Sequence, residues 1–406
     1  MLPPGPSLLR DIAITAATVL VNRGVEQGIS IDFQVIGDWL EITLERAEDW
    51  SIAADAAIST ALNALTVKKE ALRAPKINRN DRSYVFMRLV NSLTKDSSYI
   101  DGFAEVLQKL HSKFMNPREV SEELGNVEFG KGELRLGGPL AKYPVLQLFK
   151  VELYEKGLTY HKPYTLEYSI KCSESWLVMQ AIGFAYSYAG SYGGKVTFIT
   201  VKEEYRSYPT YDLALVLAST LARLEPDPII PYIMTLSLKL PDMIKRRVLE
   251  EAGIKGLEDI LLSSEEASDL SRKIMEGRYV PSIGLHTLSV GRAFTALSRL
   301  TIDLTVPMKF AYLLDAKEDG TACRNTLGRL LARALGAGEP VLINASTLLY
   351  EALNRAKDFN YVLYVLLRTV RELRERGRLR RDEEPVSYTH LRAHETSLHL
   401  VCRLLL

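Results

Sequence analysis

The first apolar residues, Leu8, Leu9, Ile12, Ile14, Ala17 and Leu20, recur at near-helical spacing and predict an opening helix, with Gly24 placed to cap its end. Ile29, Ile31, Phe33 and Val35 then alternate with polar residues, Gly37 and Asp38 supply a turn, and Leu40, Ile42 and Leu44 resume the alternation. That is the signature of a β-hairpin. A helix over about 51–72 is expected to cover it. The stretch 127–154 predicts strands broken by Gly130, Gly132, Gly137, Gly138, Pro139 and Pro144, and 165–171 adds another. A helix over 176–188 and a strand over 195–201 follow, separated by the glycine-rich run at 190–194.

After Pro209 the period becomes helical. Leu213, Val216, Leu217, Leu221 and Leu224 end at Pro226, Pro241 opens a helix that stops at Gly253, and Ser263 with Glu266 has capping-box spacing before Gly277. Leu327, Leu330, Leu331, Ala334 and Leu335 fall at i, i+3, i+4, i+7 and i+8, one buried helix face. A last helical pair covers 348–356 and 361–373. The pattern therefore predicts an α+β protein: a mixed α/β domain over 1–208, then an all-helical bundle over 209–384.

Composition fits a folded globular chain of two or three domains: 406 residues, 47% hydrophobic and 25% charged. No apolar run reaches the roughly 20 residues of a membrane span. The start lacks the features of a signal peptide, and three cysteines make no disulfide framework, so a cytoplasmic protein is expected. Residues 386–396, VSYTHLRAHET, and 400–406, LVCRLLL, look like one reading frame of a transposase-type sequencing adapter. The native chain is therefore expected to end near Glu384 or Pro385. Without Arg392, Arg403 and Glu395 the 51 basic and 50 acidic residues become 49 of each, a net charge of zero. A neutral chain does not coat nucleic acid everywhere, but it leaves room for a local basic patch.

Familiar catalytic constellations do not emerge. Residues 190–196, GSYGGKV, have the wrong spacing for a phosphate-binding loop and a valine where a hydroxyl belongs. His111, His161 and His286 stand far apart with no cysteine or carboxylate at ligand spacing, so neither metal nor cofactor is expected. Cys172 and Cys323 lack a CxxC partner and read as small core residues.

The strongest functional signal lies at 68–95, where eight basic residues stand against Glu70 and Asp81, a net charge of +6. Lys68, Lys69, Arg73, Lys76, Asn78, Arg79, Asn80, Arg82 and Arg88 are the candidate nucleic-acid contacts, since Arg, Lys and Asn side chains reach phosphates and base edges. The turn formers at 76–82 predict an exposed loop. Ten of the twenty tyrosines fall between Tyr154 and Tyr211, where they either stack on unpaired bases or pack a sheet against its helix.

The opening LLRDIAITAATVLVNRG, running into ISIDFQVIGDWLEITLE, and the closing NASTLLYEALNRAKDFNYVLYVLLRTV resemble the large subunit of archaeal type I-A CRISPR interference complexes. The likeness spans most of the chain as an overall pattern and includes no diagnostic motif, so no family residue transfers to a numbered position here. It implies a non-catalytic member of an RNA-guided antiviral complex. Such a subunit contacts the 5′ end of the guide RNA, helps recognise a short motif on target duplex DNA beside other subunits, and assists recruitment of a nuclease-helicase, while the RNA reads sequence. Two other readings stay open: an enzyme whose Tyr-rich sheet and residues 190–194 line a small-molecule pocket, and a protein-only scaffold.

Overall fold

The structure is a computed structural model that describes residues 7–150, 169–201 and 282–304, apart from residues 38, 91, 131–132 and 292–293. Beyond these it describes 320–337, 340–353 and shorter stretches within 230–238, 306–311 and 364–376. The helices expected over 209–226, 241–253 and 263–277, His161, most of the tyrosine-rich stretch and the adapter-like tail lie outside the described residues. The chain is a mixed helix-and-sheet protein that divides into two compact units, one formed by residues 1–223 with 283–301, the other by 224–282 with 302–406.

In the first unit, α1 (Leu8–Glu26) is capped by the Ser7 side chain, which accepts from the Arg10 amide. The helix runs through Gly24. A Cβ at Gly24 would lie 2.7 Å from Ile31 Cγ2, so this glycine serves close packing, and the left-handed residue that turns the chain is Gly28 at φ 76°. Strands β1 (Ile31–Ile36) and β2 (Trp39–Leu44) form the expected hairpin, pairing Ile31 with Leu44, Phe33 with Ile42 and Val35 with Leu40 on one apolar face. It seats on α1 through β1. The next long helix, α2 (Asp49–Ala71), packs along α1.

Between residues 79 and 89 the chain is helical: α3 (Arg79–Asp81) passes without a break through a π turn (Arg82–Phe86) into α4 (Met87–Leu89). The loop expected over 76–82 is thereby corrected from residue 79 on. Two further helices had no counterpart in the pattern reading. α5 (Tyr99–Phe114) opens with a reciprocal capping box between Ser98 and Asp101, and α6 (Pro117–Gly125) starts on Asn116 with proline in its first turn.

A small mixed sheet follows, built from β3 (Val127–Gly130), β4 (Glu133–Leu136), β5 (Tyr143–Pro144) and β6 (Ser169–Cys172) in the order β3-β4-β6-β5. β6 leads into α7 (Glu174–Ser187), which is buried along nearly its whole length because its sequence is apolar on all sides. Crossing α1 is close: a Cβ at Gly183 would stand 2.3 Å from the Ile12 carbonyl oxygen. The glycines at 193 and 194, with φ of 56° and 76°, close the hairpin of β7 (Tyr188–Tyr192) and β8 (Lys195–Val201), so they make a turn between strands.

β8 pairs antiparallel with β9 (Ser282–Val290), and β10 (Phe294–Asp303) completes the order β10-β9-β8-β7. These strands lie inside the span read as all-helical, which they correct. The first domain is likewise discontinuous, since 283–301 returns to it. In the second unit, α8 (Gly320–Ala337) buries Leu327, Leu330, Leu331 and Leu335 as the spacing requires, the first three in a cluster with Met234, Leu238, Phe310 and Leu349 of which α9 (Pro340–Leu353) is part. No helix among the described residues is long and apolar enough to cross a membrane.

Candidate nucleic-acid interface

The helical segment at 79–89 is fixed at its start by Asn78. Its Oδ1 accepts from the Asp81 amide at 2.7 Å, the geometry of an N-cap. Beyond that point burial alternates in pairs: Asp81, Val85 and Phe86 are buried, Arg82 and Leu89 half-buried, while Arg79, Asn80, Ser83, Tyr84, Met87 and Arg88 are exposed. The pattern repeats every four residues. An α-helix of 3.6 residues per turn would rotate such a stripe by about 40° at each repeat. Underwinding through the π turn cancels that drift, and such turns recur at functional sites.

The inward side is held by two kinds of contact. Asp81 accepts from the Tyr99 hydroxyl at 2.6 Å, the Asn78 side-chain amide at 3.0 Å and the Gln147 backbone amide at 3.0 Å. Burial pushes its carboxyl up to about 6 against these donors and the nearby Lys150 charge. Phe86 meets Tyr99 and Phe103 edge-on, and Phe103 continues the aromatic core through Phe184 to Phe198 on β8. A Cβ on Gly102 would sit 2.7 Å from the Phe86 ring, so α5 carries glycine where that ring presses in.

The nine sequence-predicted contacts separate into three groups. Lys68, Asn78 and Arg82 hold the fold together. Lys68 is only 2% exposed, and its ammonium donates to the Tyr188 carbonyl at 2.7 Å and the Tyr186 carbonyl at 3.3 Å. Burial lowers its pKa to about 7. Its expected phosphate contact is therefore corrected: a buried amine at the C-terminal end of α7 completes carbonyls there. Asn78 is spent on Asp81 and Tyr99, and Arg82 donates to the carbonyls of Lys95 at 2.7 Å and Ile77 at 3.2 Å. Lys69 and Lys76 are exposed but paired, Lys69 with Asp101 at 2.8 Å and Lys76 with Asp96 at 2.7 Å. Lys76 draws the Asp96 carboxyl below its ordinary value.

Arg73, Arg79, Asn80 and Arg88 remain open to solvent, and none of the three guanidinium groups makes an ion pair among the described residues. Arg88 lies 5.8 Å from the centroid of the Tyr84 ring, which is 52% exposed. Tyr84 was not among the residues singled out by charge, although it stands between Arg79 and Arg88 on the same exposed face.

Other constellations join residues far apart in sequence. His286 Nε2 meets Asp11 Oδ2 at 2.8 Å in the interior, where Arg299 also reaches Asp11 at 3.1 Å, and His111 pairs with Asp55 at 2.8 Å near the surface. Both histidines thus have the carboxylate partner that local spacing did not reveal. Among the described residues no group of three or more His, Cys, Asp or Glu side chains is placed to hold a metal. Tyr186 and Tyr188 are fully buried core residues, which separates them from any surface that stacks on bases, and Cys172 is a buried free thiol. No protein-family model and no curated protein matches the chain.

Proposed function

We propose that the chain is a non-catalytic, cytoplasmic nucleic-acid-binding subunit of an RNA-guided antiviral complex, with guide RNA, target duplex DNA, neighbouring subunits and a nuclease-helicase as its partners. The face formed by Arg79, Asn80, Ser83, Tyr84, Met87 and Arg88 is its contact with nucleic acid, and the rest of the second unit is a helical bundle. One observation carries this reading: after folding has used Lys68 and Arg82 internally and paired Lys69 and Lys76, the remaining cations of the helical segment lie on one solvent face around an exposed tyrosine. Guanidinium groups match phosphates in geometry and stay charged, and an aromatic ring beside them adds a sequence-tolerant contact. The overall resemblance of the chain to CRISPR large subunits supplies the partners.

Fluorescence anisotropy with a labelled duplex across a salt series tests it. The logarithm of the association constant is expected to fall linearly with the logarithm of salt, and Arg79→Ala with Arg88→Ala is expected to reduce the slope by about 2, at roughly 0.9 per phosphate contact. An unchanged slope in a correctly folded double variant would remove this face from the interface.

A further inference from the structure

The exposed side of the helical segment at 79–89 is not cationic alone. Tyr84 is 52% exposed, and Met87, three positions on, is 44% exposed. Between them Val85 and Phe86 are fully buried, and the Phe86 ring meets Tyr99 and Phe103 edge-on. The backbone that carries Tyr84 is therefore held from beneath, by this ring packing and by the N-cap of Asn78 on the Asp81 amide. A ring presented from a fixed backbone gives up little freedom when a partner covers it. No hydrogen bond ties its hydroxyl to the described residues, and the Arg88 guanidinium lies 5.8 Å from its centroid.

Arg79 and Arg88 flank Tyr84 along the chain, and the face they share with Asn80, Ser83 and Met87 holds no carboxylate. Such a face attracts a polyanion, and phosphates account for the arginines. Phosphates alone do not account for the rest. The Tyr84 hydroxyl can reach a phosphate, but the exposed Met87 side chain has no polar group to offer one. In a duplex each base is stacked on its neighbours and offers only its edges in the grooves, whereas an unpaired base has a free π-face. Building on the nucleic-acid reading of this face, we propose that it takes a single-stranded segment, with one unpaired base stacked on the Tyr84 ring and the adjoining phosphates held by Arg79 and Arg88. Every base has a π-face, so the contact tolerates any sequence. The arginines reach the phosphates of a duplex as well; the ring adds affinity only where a base is unpaired.

Two labelled strands of about twelve nucleotides separate these contributions: an oligothymidylate, and a strand of equal length made of abasic sites, which carries the same phosphates without bases. In fluorescence anisotropy the full chain is expected to bind the oligothymidylate about ten-fold more tightly than the abasic strand, the size of one base stacked on one ring. Tyr84→Ala is expected to remove that ratio and leave the abasic affinity unchanged, and Tyr84→Phe, which keeps the ring and loses the hydroxyl, is expected to preserve it. Tyr84 is exposed, so both variants are expected to retain the wild-type far-UV circular dichroism. Arg79→Ala with Arg88→Ala is expected to weaken binding of both strands. Equal wild-type affinity for the two strands, a ratio that survives Tyr84→Ala or is lost in Tyr84→Phe, or a Tyr84→Ala loss of the same size on both strands overturns the stacking, while the arginine effect still upholds the phosphate contact. If the arginine pair has no effect on either strand, or wild type binds neither, the nucleic-acid reading of the face falls together with the stacking, and a protein partner takes its place as the occupant.

Discussion

At the scale of single residues, the charge count at 68–95 located a cluster of cations but could not tell which of them the fold consumes. A lysine looks the same in a sequence whether its ammonium meets water or two carbonyls. Lys68 is the case in point, and its environment has a pH consequence. Its pKa is about 7 in the fold and near 10.4 in the unfolded chain, so between those values the unfolded state holds a proton that the folded state has lost. The cost of burying the charge is full below about pH 7 and fades as pH rises. Wild-type stability in urea is therefore expected to rise from pH 7 toward pH 9.5 relative to Lys68→Met, whose stability lacks that contribution; parallel curves for the two proteins would contradict the assignment. Asp81 was counted only as a charge that diluted the patch, yet it organises the segment. Asp81→Ala strips the acceptor from the Tyr99 hydroxyl and the Gln147 amide and is expected to cost about 3 kcal/mol in chemical denaturation.

At the scale of elements, regular periodicity was readable and close packing was not. The hairpin, α2, α7, β8 and the leucine face of α8 all follow from spacing. Two of the overlooked helices also left signs: Ser98 with Asp101, Pro117, and Ile100, Phe103, Leu107, Leu110 and Phe114 along one side of α5. The segment at 79–89 was hidden for a physical reason. Its in-out pattern has a period of four, which matches neither an α-helix nor a strand, and Asn, Arg and Asp at its start also favour turns. The capping relation of Asn78 to Asp81 was the available signal. Strand β9 escaped because residues 283–288 are buried without alternation, as in a strand covered on both faces. The role of a glycine inside a helix depends on what lies opposite, which only the fold reveals. Gly183→Ala would drive a methyl group against the Ile12 carbonyl oxygen, and a loss of about 2–4 kcal/mol is expected from thermal or urea unfolding. A change below about 0.5 kcal/mol would mean that α1 and α7 separate freely.

At the scale of the whole molecule, the first unit is closed by a strand pair that returns from far along the chain, with His286 and Arg299 meeting Asp11 in the opening helix. No local pattern can anticipate a contact between residues 275 positions apart. The same long-range closure packs Phe294 against Tyr99, whose hydroxyl holds Asp81 beneath the candidate interface, so the exposed face rests on a core assembled from both ends of that unit. The candidate face was thus legible as a concentration of charge, while its membership was decided by which cations the fold consumes. The most direct test of that claim compares two double variants at one fixed, low salt concentration with the same labelled duplex. Arg79→Ala with Arg88→Ala removes the unpaired cations of the helical segment at 79–89, and Lys69→Ala with Lys76→Ala removes the paired ones. The account predicts at least ten-fold weaker binding for the arginine pair and less than three-fold for the lysine pair; equal losses, or a larger loss for the lysines, would contradict it.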